Sequence, residues 1–410
     1  MMKCRFCNTE LNRVFADLGT APPSNSFLSQ SQLMLGEVYY PLKVYVCDQC
    51  FLVQLDEFKK SAEIFSEDYV YFSSVSTSWL AHSKAYVQKM REHLPLTSDS
   101  FVIEIASNDG YLLQYVKENG IKCLGIEPTA STAKVAREKG IDVLESFFGT
   151  TLATELKNTG RQADLLLGNN VLAHVPDIND FVEGLKIALK PTGTVTMEFP
   201  HLLKLVADGQ FDTIYHEHFS YLSFSVVSKI FAAHGLTMYD VEEIPTHGGS
   251  LRIFAKHAEN ETIAVSAAVA RLLEQERTAG MSTPAYYENF KMKVEKIKND
   301  FVEFLISQRR TGKKVAAYGA AAKGNTLLNF SGIRKDLIEF VADRAESKQG
   351  KFLPGSRIPV VPEDVLKAQK PDFIVIFPWN IRDEVEKQLE YVREWGGQFV
   401  TAVPRLTIKS

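Results

Sequence analysis

A strand, a tight turn and a helix constrain this chain more than any other stretch. Phe101–Ala106 is a mostly apolar run. It enters the turn Ser107-Asn108-Asp109-Gly110, and Tyr111–Val116 then reads as a helix. Ala106 and Gly110 let a ligand approach the backbone, and the helix N-terminus offers free N–H groups. Seventeen residues after Gly110, a second strand beginning at Cys123 ends in Glu127. An acid at the end of the second strand of a doubly wound sheet is placed to bind ribose hydroxyls. Glu104, Ala106, Asn108, Asp109, Gly110 and Glu127 therefore form a candidate nucleoside site. The turn lacks the Gly-x-Gly-x-x-Gly spacing of dinucleotide binders.

At 410 residues the chain is too long for one ordinary core, and two or three domains are expected. A net charge of −4 argues against a nucleic-acid binder, which carries a basic face. No apolar run approaches the ~20 residues needed to span a bilayer, and no hydrophobic segment follows Met1–Cys4 as in a signal peptide. A cytoplasmic protein is expected. Nothing in the sequence requires an oligomer.

Cys4, Cys7, Cys47 and Cys50 form two C-x-x-C knuckles separated by 39 residues. Each pair sets two thiolates on one turn, and two pairs complete a tetrahedron around Zn²⁺. Two disulfides or unpaired thiols are the alternatives. Four sulfur ligands leave no open position, so the metal is expected to be structural. Lys43–Val46 and Phe51–Leu55 read as strands beside the second knuckle, and Cys123 as a core residue.

From Ser76 to Ala255 strands and helices alternate. The last two strands, Leu236–Ile244 and Ser250–Ala255, flank a hairpin-like turn at Pro245–Gly249. A parallel sheet closed by an antiparallel pair is expected. Asn169, Asn170 and His174 follow the carboxyl end of the strand Leu165–Gly168, where ligands of open α/β sheets bind. Tyr215-His216-Glu217-His218 packs four ionisable groups together, with histidine suited to proton exchange near neutrality. Ser223 reads as the opening of a following helix. A long charged helical stretch, interrupted at Pro284, precedes a smaller Rossmann-type unit. There Gly319–Thr326 forms a turn into a helix, and Gly319, Lys323 and Asn325 make a candidate diphosphate cradle. Asp343 ends the next strand and is placed to hold a ribose.

The turn at 107–110 resembles the adenosylmethionine loop of class I methyltransferases. Taken in order with the knuckles, Tyr215–His218 and Ala317–Asn325, the whole chain resembles the nucleotide-sugar C-methyltransferases of the D-tetronitrose C-3′-methyltransferase type. One departure is Ala106, where glycine is common. The resemblance implies an α/β protein of three parts: a small zinc-binding domain (1–74), a class I adenosylmethionine domain (75–258) and a C-terminal Rossmann-like domain (259–410). It implies adenosylmethionine and structural zinc as cofactors. It implies methylation at C-3 of a nucleotide-linked, dTDP-type 4-keto-6-deoxysugar, with an O- or N-methyltransferase as the alternative. Tyr215, Glu217 and His218 are then expected at the reacting sugar, with His174 close by. A tyrosine of the segment 69–73 joins them, best matched by Tyr69, with Tyr71 its rival. His218 is the expected base and Glu217 its orienting carboxylate.

Overall fold

The computed structural model describes residues 2–58, 60 and 72–409. Three sheets share the chain. The N-terminal sheet is antiparallel, in the order β1 (Arg13–Ala21), β2 (Tyr40–Val46), β3 (Val53–Leu55) and β9 (Ser220–Tyr221). β3 starts two residues later than its apolar pattern suggests, because Phe51 takes φ +65° as the knuckle turns. β9 is the unexpected member. It comes from the middle of the chain and pairs Tyr221 with Val53 and Ser220 with Gln54.

The middle sheet has seven strands in the order β10-β11-β8-β7-β4-β5-β6. These are β4 (Phe101–Ile105), β5 (Lys122–Ile126), β6 (Val143–Leu144), β7 (Ala163–Asn169), β8 (Leu189–Pro200), β10 (Leu236–Ile244) and β11 (Ser250–His257). β4 to β8 run parallel, while β11 pairs antiparallel with both β8 and β10. This is the parallel sheet closed by an antiparallel pair. Helix α1 (Thr77–His93) leads into β4, and α2 (Leu113–Glu118) leaves the turn after it. α3 (Phe224–Ala233) opens on Ser223, whose hydroxyl accepts from Val226 N.

Two helices, α4 (Ala267–Thr278) and α5 (Phe290–Arg310), connect to the third sheet, with a short one at Pro284–Glu288 between them. With β14 (Val360–Val361), β15 (Phe373–Ile376), β16 (Gln398–Thr401) and β17 (Thr407–Lys409), that sheet runs β14-β13-β12-β15-β16-β17, parallel except for its last pair. β12 (Val315–Tyr318) feeds helix α6 (Ala322–Ser331), and β13 (Val341–Ala342) ends before Asp343.

One apolar core joins the N-terminal and C-terminal sheets to the segment 202–221. It gathers Phe15 and Val44 from the N-terminal sheet, Phe211 and Ile214 from that segment, and Phe301, Leu327 and Val375 from the C-terminal part.

A buried ion pair fastens α4 to the middle domain. Glu276 and His201 are each 1% exposed, and His201 Nε2 lies 2.7 Å from Glu276 Oε1. The same carboxylate accepts from Phe224 N and Ser225 N, capping α3. Burial alone raises a carboxyl pKa. The bonds from His201 and Ser225 outweigh it and hold Glu276 below the usual range. A depressed carboxyl contributes stability that is present above its unfolded pKa and lost as pH falls through the folded one. Glu276→Ala is expected to cost about 3–5 kcal/mol in urea unfolding at neutral pH. The gap from wild type should narrow below pH ~4. A cost under ~1 kcal/mol would show the pair is not a structural anchor.

Candidate active site

Both knuckles fold alike. Asn8 N donates to Cys4 O and Phe51 N to Cys47 O, and the residue after each knuckle takes a positive φ. The four Sγ atoms all lie within 4.8 Å of one another. Cys4–Cys50 and Cys7–Cys47 are each 3.5 Å apart, too far for the ~2.05 Å of a disulfide. Ligands at ~2.3 Å from a tetrahedral metal stand about 3.8 Å apart, so this cradle fits zinc. Gln54 Nε2 and Gln49 N donate to Cys4 and Cys47 sulfurs, which favours the thiolates. This is a structural zinc site.

The turn after β4 is bent by three positive φ values, at Ala106 (57°), Asn108 (49°) and Gly110 (73°). A Cβ on Gly110 would lie 2.4 Å from Ile141 Cδ1, so glycine is needed there for space as well as conformation. Ala106 adopts a conformation that glycine enters at no cost. Glu127 lies under the turn, accepting from Asn108 N and Thr129 N at 2.9 Å each. Burial raises its carboxyl, with these bonds opposing. Asn108 Oδ1 accepts from Ser73 N, and Asp109 Oδ2 from Ser74 N and its hydroxyl. Asp109 Oδ1 is buried without a partner. Glu104 is fully buried near Tyr111, and burial pushes its carboxyl well above the usual range. It packs behind the turn. Asn169 Nδ2 reaches Tyr111 Oη at 3.5 Å. Asn170, at φ 54°, donates to His247 Nε2 at 3.0 Å. The turn, its acid and the orphaned Asp109 oxygen fit adenosylmethionine.

Tyr215–His218 splits by side chain. His216 Nε2 faces Pro41 O at 3.3 Å, and Glu217 Oε1 accepts from Asn25 Nδ2 at 2.6 Å, both toward the N-terminal domain. His218 turns the other way. Its ring lies 4.0 Å from that of Tyr215 and 4.6 Å from that of His174. The group that orients His218 is a carbonyl: its Nδ1 lies 2.8 Å from Thr213 O. A carbonyl only accepts, so the proton sits on Nδ1 and Nε2 keeps its lone pair. Glu217, expected in that role, reaches Asn25 instead. Burial and then the neighbouring His174 push His218 well below 6.5, with His247 and Lys323 adding to this. Burial likewise lowers His174 to about 4. Tyr69 and its rival Tyr71 lie outside the described residues.

Lys323 projects from the first turn of α6. Its Nζ donates to Asn380 Oδ1 at 2.7 Å and lies 4.5 Å from the Trp379 ring centroid. Trp379 Nε1 donates to Asp212 Oδ2 at 2.7 Å. Gly319 has φ +85°, and a Cβ on it would lie 2.6 Å from Pro378. Its role is to let the loop carrying Trp379 pack close. Asn325 is 1% exposed, and neither amide atom has a partner. Asp343 accepts from Ala320 N and Ala345 N.

Residues not anticipated from sequence complete the cleft: Asp212, Thr213, His247, Trp379 and Trp79. Trp79 stacks on His82 at 4.9 Å and lies 6.0 Å from Tyr111 and 5.3 Å from His247. It thus spans the cofactor turn and the histidines. His174, the Phe211–Thr213 turn, His247 and Trp379 all sit on single turns of 3-10 helix. Such turns carry no periodic signal.

Three family models cover the chain: "Putative zinc binding domain" at 4–65, "Methyltransferase domain" at 80–241 and "C-methyltransferase C-terminal domain" at 245–404. C-methyltransferase NovU from Streptomyces niveus is 32% identical over 402 residues, covering 98% of this chain and 95% of that protein. The chain belongs to the C-methyltransferases. A ubiquinone biosynthesis O-methyltransferase from Bartonella tribocorum is 28% identical over 93 residues, covering 22% of this chain and 38% of that protein. A solved S-adenosylmethionine-dependent methyltransferase from Clostridium acetobutylicum aligns with TM-score 0.34 and 11% identity, covering 43% of this chain and 90% of its own. This C-methyltransferase is an adenosylmethionine-dependent enzyme with a zinc-binding N-terminal domain. Among the described residues no helix is long and apolar enough to cross a membrane.

Two outcomes test these sites. Stripping the metal with a chelator should release about one zinc per chain and lower the melting temperature, since such binding is folding free energy. Unchanged melting after removal would argue against a structural metal. Glu127→Ala should weaken adenosylmethionine binding by about 10–100-fold in calorimetry, the loss of a charged hydrogen bond. Unchanged affinity would place the cofactor elsewhere.

Proposed function

We propose that this C-methyltransferase acts on C-3 of a nucleotide-linked 4-keto-6-deoxysugar, with dTDP as carrier, in the cytoplasm. We assign the three parts to residues 1–74, 75–258 and 259–410. His218 carries the reading. It is a neutral imidazole held by a carbonyl, with Nε2 available beside two other polar rings. A carbon becomes a nucleophile only as an enolate, and a ketone at C-4 acidifies the C-3 proton.

In this scheme His218 Nε2 takes that proton and the C–H electrons pass to the C-4 oxygen. Tyr215 and His174 lie where they could donate to that oxygen. Bound adenosylmethionine supplies the electrophilic methyl group. Asp109, Glu127, Asn169 and Asn170 hold it, and Tyr69 is assigned to the reacting sugar on the resemblance alone. Gly319, Lys323 and Asn325 form the wall that meets the sugar nucleotide. Holding the two reactants in near-attack contact supplies much of the rate.

A base with so low a pKa is weak in the empty site. An enolate changes that: opposite charges about 4 Å apart at an effective dielectric near 20 attract by ~4 kcal/mol, or about three pKa units. The depressed value keeps His218 proton-free at rest, and the developing anion restores its basicity.

The test is a panel of dTDP-, GDP- and UDP-4-keto-6-deoxysugars with adenosylmethionine, read by mass. One added methyl on a ketosugar, with exchange of the C-3 proton in deuterated water, is expected. Methylation without exchange would indicate an oxygen or nitrogen acceptor. His218→Asn should lower turnover by about 10²–10⁴-fold with cofactor affinity intact. Because His218 is depressed, the proton-free base persists as pH falls past 6.5. The acid limb of kcat/KM should therefore lie well below 6.5, and a limb at or above it would remove His218 from the role.

A further inference from the structure

Among the described residues Lys323 makes no ion pair. Among the described residues no carboxylate lies within 4.0 Å of its Nζ. It is held by a neutral amide and an aromatic face, while Asp212, whose charge acts on it, accepts from the Trp379 indole. A half-buried ammonium left uncompensated is costly unless a ligand brings the negative charge. Two residues on, Asn325 is buried with both amide atoms unpartnered. These groups await something polar and anionic.

Lys323 is also close to the base. Its charge reaches His218, His247 and Asp212. Asp212 immediately precedes Thr213, whose carbonyl holds His218. Lys323, His174, Tyr215, His218 and His247 are all partly exposed, and the His218 ring lies within 4.6 Å of the rings of both His174 and Tyr215. A sugar nucleotide offers two anions here, its diphosphate and the oxygen of the enolate. The position beside the histidines favours the second.

We propose that Lys323, from the C-terminal part, donates a hydrogen bond to the C-4 oxygen as the enolate forms, stabilising its charge while His218 takes the proton. This rests on the ketosugar reading above. No proton leaves Nζ. The C-3 proton goes to His218 Nε2, the electron pair goes to the C-4 oxygen, and the carbon then displaces the thioether from the methyl group.

The pH behaviour follows. Burial, partly offset by Asp212, brings Lys323 down to about 8. The groups facing it are Asp212, His218 and His247, with Trp379 and Asn380 neutral. The active form is the ammonium, so activity should be lost as pH rises through about 8.

Lys323→Met and Lys323→Arg, assayed on a ketosugar nucleotide that the wild type methylates, test the proposal. Lys323→Met should lower kcat and C-3 proton exchange together by about 10²–10³-fold, with KM for the sugar nucleotide within about threefold and adenosylmethionine affinity unchanged. Lys323→Arg should recover most of the rate and move the alkaline limb upward. A raised KM with unchanged kcat would make Lys323 a diphosphate ligand and overturn the proposal. So would normal exchange in Lys323→Met. A wild type silent on every ketosugar would overturn the ketosugar reading and this proposal together, whereas an active wild type with an indifferent Lys323→Met overturns the proposal alone.

Discussion

The segment from Gln210 to Tyr221 holds His218, and it is gripped from three directions. β9 pairs with β3, and Leu55 N donates to Phe219 O. Phe219 N donates to Ala173 O, locking the segment to the turn that carries His174. Thr326 of α6 donates to Ile214 O at 2.8 Å, and Trp379 bonds Asp212. Each grip comes from a different part of the chain. Their convergence fixes the Thr213 carbonyl, which fixes the tautomer of His218. A loop held this way loses little freedom on binding, and that is what preorganised chemistry requires. It also gives the zinc a role at a distance. Val53 of β3 follows Cys50 by three residues, so the metal that sets the second knuckle also sets the strand on which β9 rests.

The site is arranged around charge that is not yet there. Burial lowers the pKa of three histidines, and Lys323 has no carboxylate partner among the described residues. In water such an arrangement would gain nothing. In a cleft of low effective dielectric, a neutral base and a fixed cation are each more responsive to an arriving anion. The aromatic groups Trp79, Tyr215 and Trp379 supply that low dielectric while leaving polar edges for the ligand.

Where the sequence carried periodicity or ligand spacing, it was read well. The parallel sheet with its antiparallel closure and the zinc cradle follow from alternation and from C-x-x-C geometry, whereas β6, two residues long, carries no such pattern. The site was legible as a set of residues but not as directions. Nothing in Tyr-His-Glu-His tells which two side chains turn outward, because the segment is irregular and alternation does not hold. Its orienting partner is a backbone carbonyl, which no residue type announces. His247 and Trp379 lie on single 3-10 turns, 29 and 161 residues beyond His218, brought in by tertiary packing. β9, at two residues, is too short for any strand pattern to show.

The two Rossmann-like units make the same point about inference from fold. In the middle one, Glu127 accepts an amide from the first turn and one from its own loop; in the C-terminal one, Asp343 does the same with Ala320 and Ala345. The local geometry is repeated, but its surroundings are not. Over Asp343 stands Lys348, whose Nζ bonds Ala320 O at 3.0 Å and lies 3.7 Å from the carboxylate. Lys348 also covers the ring of Phe27, reaching across from the N-terminal part. The place that would take a ribose is therefore already closed by the chain's own cation and by interdomain packing. A repeated fold does not carry a repeated function. The proposed contribution of the second unit to the reaction comes instead from its first turn, where Lys323 faces Trp379 and Trp379 bonds Asp212 beside the carbonyl that holds His218.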